Sequence, residues 1–75
     1  MKKVDLVKIK AHRKANDLSL DDMSKLLGYE SPNGYYYLET GRGKFTAEAL
    51  AKVADKLGVS IEELFFVEEI TEMAN

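Results

Sequence analysis

Cysteine is absent from these 75 residues, so neither disulfides nor a thiolate metal site can compensate for the small size. Histidine occurs once, as His12, too few imidazoles for a metal or acid–base cluster, and a histidine packed at a helix edge is the expected role. Long hydrophobic runs are missing too. None approaches the roughly 18 residues that cross a bilayer, and the lysine-led start lacks the apolar stretch of a signal peptide. With no phosphate loop and no paired-carboxylate cleft in view, nothing suggests an enzyme, and no cofactor or metal is expected. What is present is 45% hydrophobic content, enough to bury one modest core. A single domain spanning 1–75 and located in the cytoplasm is the expectation.

The net charge of −2 speaks against a polyanionic partner only until its distribution is read. From Met1 to Ala15, Lys2, Lys3, Lys8, Lys10, Arg13 and Lys14 face the single acid Asp5. From Ser60 onward, Glu62, Glu63, Glu68, Glu69 and Glu72 have no basic neighbour. One basic face and one acidic back would give this asymmetry, and a plain solvated surface would give it as well.

The chain is organised around Ser31 to Lys44, SPNGYYYLETGRGK. Ser31 suits an N-cap, Pro32 suits the first helical position, and Thr40-Gly41 is a stop. Successive helical residues point about 100° apart, so Tyr35, Tyr36 and Tyr37 cannot share one environment. Tyr35 and Leu38 make the buried edge, leaving Asn33, Gly34, Tyr36 and Tyr37 outward.

Around this stretch the spacing predicts four more helices. The first, about Val4 to Ala15, has an inner stripe of Leu6, Ile9, Lys10 and Arg13 that ends on an arginine in need of an acid. The second, about Leu20 to Leu27, is capped by Ser19 and stopped by Gly28. Its stripe is Leu20, Met23, Ser24 and Leu27, with Ser24 small enough for a close helix approach and Tyr29 expected to plug the core. The fourth starts at Thr46 and buries Leu50, Val53, Ala54 and Leu57 before Gly58. A capping box at Ser60-Ile61-Glu62-Glu63 opens the fifth, with Ile61, Leu64 and Phe65 inward. If that helix continues, Phe66, Ile70 and Met73 form a second stripe, so residues 66–75 are either a dimerisation surface or a frayed tail. The second and third helices with their tight turn make a helix-turn-helix.

Taken together, these pieces resemble the Cro and phage-repressor helix-turn-helix family, the XRE-like type, over nearly the whole length. The matching segments are Ile9 to Arg13, Leu18-Ser19, Met23 to Gly28, Leu38-Glu39-Thr40-Gly41, and Leu50 to Ser60 followed by Ile61 to Phe65. The resemblance implies an all-α, five-helix lambda-repressor-like domain that binds double-stranded DNA as a transcriptional regulator, usually as a homodimer on a palindromic operator. It also implies a structural ion pair between Arg13 and Glu39. The sequence departs from the family at Leu20, where glutamine is common, at His12, in a turn before the third helix one residue longer than usual, and in a missing proline near Phe45.

For such a function the reading face has suitable chemistry. Asn33 can pair bidentately with adenine, and Gly34 lacks bulk that would hold the helix off the bases. Tyr37 suits a thymine methyl or a phosphate, Tyr36 the backbone, and Ser31 a phosphate at the helix start. Arg42 and Lys44 would follow the sugar-phosphate backbone, with Lys2, Lys3 and Lys10 as further contacts. The acidic balance motivates a second reading, a protein-interaction module of antitoxin or antirepressor type using the tyrosines or the Phe66-Ile70-Met73 stripe on a protein partner.

Overall fold

The computed structural model describes residues 2–67. In chain order it contains β1 (Lys2–Val4), α1 (Leu6–Ala15), α2 (Leu20–Leu27), α3 (Pro32–Glu39), α4 (Ala47–Leu57), a 3-10 turn (Ile61–Leu64) and β2 (Phe65–Val67). Helix starts follow from local side-chain chemistry. The Ser19 hydroxyl accepts the Asp22 N–H while the Asp22 carboxylate accepts the Ser19 N–H, and Thr46 accepts from Ala49 N–H. Asp5 does the same for α1 by accepting from Lys8 N–H, so Val4 lies outside the helix.

The helix ends share one device. In each, an N–H one or two residues beyond the cap residue returns to a carbonyl five residues earlier: Leu18 to Arg13, Tyr29 to Ser24, Arg42 to Tyr37 and Val59 to Ala54. The closure needs a left-handed residue. Gly41 supplies it for α3 at φ +88°, and Asp17 supplies it for α1 at φ +58°, a conformation aspartate tolerates better than most side chains.

The all-α, five-helix expectation is overturned. Ser60 does open a capped turn, with the Glu63 carboxylate accepting the Ser60 N–H, but it runs only from Ile61 to Leu64 as a 3-10 turn. The chain then extends as β2 and pairs antiparallel with β1, with Val4 opposite Phe65, Lys3 opposite Phe66 and Lys2 opposite Val67. Two features favour this outcome. Phe65-Phe66-Val67 is aromatic and β-branched, a composition that suits a pleated surface, and Asp5 N–H donates to the Leu64 carbonyl, docking the segment before α1 to the segment that precedes β2. Phe66 therefore belongs to a strand, and no helical stripe starts from it; Ile70 and Met73 lie outside the described residues.

The buried cluster is Ile9, Met23, Tyr35, Leu50, Val53, Ala54, Leu57 and Leu64, drawn from all four helices and the 3-10 turn. Ile61, expected inward, is exposed, whereas Leu64 is fully buried. Ser24 does more than permit a close approach. Buried between α2 and α3, its hydroxyl donates to the Pro32 carbonyl and accepts from the Tyr35 N–H, fastening the first turn of α3 to α2.

Candidate nucleic-acid interface

One side of α3 is locked into the protein. Tyr35 is fully buried, Leu38 and Glu39 nearly so, and the Tyr35 ring meets Phe45 edge-on at 6.3 Å. The Glu39 carboxylate is gripped by Arg13, whose Nε donates to Oε2 at 2.8 Å and Nη2 to Oε1 at 3.0 Å. A third N–H, on Nη1, donates to the Leu18 carbonyl at 2.8 Å. One guanidinium thus joins α1, the turn before α2, and α3. The bond to Glu39 raises the Arg13 pKa further above its ordinary value, against the opposing effect of burial.

The Tyr35 hydroxyl lies beside the same carboxylate but makes no hydrogen bond of good geometry. Burial first, and the Glu39 neighbour second, push its pKa far above the usual phenol range. A raised folded-state pKa means stability that is fully present below the unfolded phenol pKa of about 10 and falls as pH rises past it. Urea titrations on either side of about pH 10 should therefore show an alkaline loss in the natural protein that Tyr35→Phe reduces. Equal alkaline losses in both proteins would mean that the buried phenol is not the group responsible.

The other side of α3 is open. Asn33 is exposed, Tyr36 is 41% and Tyr37 43% exposed, and the two rings lie 6.2 Å apart. Ser31 stands at the N-cap position, yet its hydroxyl makes no capping bond. Arg42 and Lys44 are exposed on the loop that follows, with the Arg42 guanidinium 5.5 Å from the centre of the Tyr37 ring. Gly34 differs from its sequence reading. A Cβ built there would fall 2.4 Å from Tyr29 Cγ, so the space is filled by this chain's own tyrosine and is not an open approach for a ligand. Tyr29 correspondingly packs over the start of α3, 40% exposed, and does not plug the core.

Two basic grooves lie near the helix, one along α3 and one between β1 and the loop that follows α3. One, about 310 Å³, is lined by Lys10, Lys14, Leu20, Tyr36 and Thr40 together with the Arg13–Glu39 pair. The other, about 730 Å³, is lined by Lys2, Lys3 and Lys44 with Leu6 and Phe45. Lys14 was counted in the basic N-terminal segment but not among the candidate DNA contacts, although its i, i+4 relation to Lys10 on α1 puts both on one face. Lys2 is engaged by Glu62 at 2.8 Å in an exposed pair. Two acids at the start of α2 are engaged locally: Asp21 pairs with Lys25 at 3.1 Å, and Asp22 holds the Ser19 N–H, which lowers its pKa. Among the described residues no cluster suited to a metal ion occurs, and no helix is long and apolar enough to cross a membrane.

A helix packed on a second helix across a tight turn, with one face buried and the other presenting amide, phenol and guanidinium groups, defines a helix-turn-helix domain. Comparison with protein families agrees, since a helix-turn-helix family model matches residues 9–64. The chain belongs to this family, of the XRE-like, Cro type, and its role is accordingly DNA-binding and regulatory in general. No characterised protein and no solved structure matches it.

Proposed function

We propose that this chain is a sequence-specific binder of double-stranded DNA that acts as a transcriptional repressor, as a homodimer on a palindromic operator in the cytoplasm, with α3 entering the major groove. The observation that carries the reading is the division of α3: Tyr35, Leu38 and Glu39 are buried while Asn33, Tyr36 and Tyr37 stand exposed on a short helix braced by Arg13. Among the described residues, Asn33, Tyr36 and Tyr37 neither belong to the buried core nor pack against it. On this reading Asn33, in the first turn, addresses an adenine edge. Ser31 and the opening N–H groups of α3 take a phosphate, and Tyr36, Arg42 and Lys44 follow the backbone, where the lysine-lined grooves add attraction without sequence preference.

Selection of bound sequences from random duplexes tests this directly. An inverted repeat with half-sites about one helical turn, roughly 34 Å, apart is the expected product. Asn33→Ala should then cost about 1–3 kcal/mol at one base position and leave random-sequence binding nearly unchanged. Equal losses on selected and random DNA would remove Asn33 from the reading role. Absence of any duplex binding at low salt would instead favour a protein-interaction module, for which the exposed Phe66 and Val67 of β2 offer apolar surface.

A further inference from the structure

We infer that Tyr37 and Arg42 work as one unit on DNA: Arg42 contacts a backbone phosphate, and Tyr37 is a positioning residue that holds the guanidinium and does not itself read a base. This rests on the DNA-binding reading above and adds the roles of two residues to it.

The argument starts from the four helix ends. Each uses the same backbone closure, which brings the side chain of the returning residue against the helix it has just left. At α1 and α4 that residue is Leu18 or Val59, and both pack on the core. At α2 it is Tyr29, lying over Gly34. At α3 alone it is charged. The Arg42 N–H donates to the Tyr37 carbonyl at 2.8 Å, that of Gly43 donates to the same oxygen at 3.0 Å, and the guanidinium rests 5.5 Å from the Tyr37 ring centre. A cation over an aromatic face takes the place of the apolar contact usual in this motif.

This arrangement decides what each group has left to offer. With Arg42 over its ring and Tyr36 tilted beside it at 6.2 Å, Tyr37 is 43% exposed but has a ring face already taken by the guanidinium. A guanidinium held over a ring by cation–π attraction spends none of its N–H hydrogen bonds on that contact, so its fork of donors remains for a phosphate. Position along the helix selects phosphate over base. From Asn33 to the cap residue Thr40 is roughly 10 Å at the α-helical rise. That is close to the major-groove width of about 12 Å, so a group beyond Thr40 meets the strand backbone when Asn33 meets a base edge. Holding Arg42 in place beforehand lowers the side-chain ordering cost of the contact.

The test compares the natural chain with Arg42→Ala, Tyr37→Ala, Tyr37→Phe and the Arg42→Ala/Tyr37→Ala double variant, titrated against a selected and a random duplex over a salt series. Arg42→Ala should weaken both duplexes by the same factor and shallow the salt slope by about 0.9. Tyr37→Ala should weaken both by about two- to fivefold, as loss of an exposed cation–π contact would. Tyr37→Phe should bind like the natural chain, and the double variant should be no weaker than Arg42→Ala. Altered preference at one base position in Tyr37→Ala, failure of Tyr37→Phe to rescue, or multiplicative losses in the double variant would each overturn the inference. A DNA-free readout separates the two levels. Ring-current shifts on the Arg42 δ-methylene protons should appear in the natural chain and Tyr37→Phe and vanish in Tyr37→Ala. If they appear and no duplex binds, the DNA reading has failed and this role with it. If they are missing while DNA binds, the pairing alone is wrong.

Discussion

Glu39→Ala is expected to destabilise the domain by about 3–5 kcal/mol. The cost arises less from the bond removed than from what stays behind. Arg13, 8% exposed, cannot deprotonate, and without Glu39 its Nε and Nη2 are left facing buried surroundings with no anion. Arg13→Met paired with Glu39→Leu should be far milder, near neutral, because both charges leave together. Urea unfolding followed by helical circular dichroism measures all three chains. A loss below about 1 kcal/mol for Glu39→Ala would show that water reaches the arginine and that the pair is a surface bridge. The double replacement also separates stability from orientation. If it folds well yet binds DNA poorly, the two bonds from Arg13 to Glu39 set the position of α3 relative to α1 and contribute to function beyond their contribution to stability.

The second large effect concerns Gly34. In an isolated helix, alanine in place of glycine gains up to about 1 kcal/mol. Here the expected result has the opposite sign, a net loss of about 1–3 kcal/mol for Gly34→Ala, as in other overpacked sites. The new methyl would meet Tyr29 at Cγ and also at Cβ, 2.7 Å away, and an atom so near the backbone cannot swing clear as a side-chain tip can. Tyr29→Ala in the same chain should convert the loss into the ordinary helical gain. That reversal of sign identifies the tyrosine as the cause. Stabilisation by Gly34→Ala alone would mean that Tyr29 yields freely, and would restore the glycine as an open approach to bases.

The turn that carries Tyr29 shows where legibility ended. Gly28 and Ser31 marked its limits in the sequence, but which way the Tyr29 ring falls depends on a gap in the neighbouring helix, and the ring covers Gly34 instead of entering the core. Ser24 is similar. Its small size on the inner stripe of α2 was evident, whereas its two hydrogen bonds to α3 depend on the separation of two helices. On α3 itself, the alternation of buried Tyr35 and Leu38 with exposed Asn33, Tyr36 and Tyr37 follows from the helical angle alone. Arg42 could be placed after the helix, but its seat on Tyr37 comes from the closure that bends the chain back.

The spans of α2, α3 and α4 were determined by the sequence itself, because caps, glycine stops and helical periodicity act over five residues or fewer and need no other part of the chain. The acid required by Arg13 was also foreseeable, since a buried arginine imposes the need for a partner. Only the tertiary structure decided that β1 and β2 meet as a strand pair in place of a fifth helix. Lys2 and Val67 are far apart in sequence, and their pairing depends on four helices first bringing Asp5 to Leu64. Local propensity at Phe65-Phe66-Val67 permits either form, and the waiting edge of β1 selects the extended one.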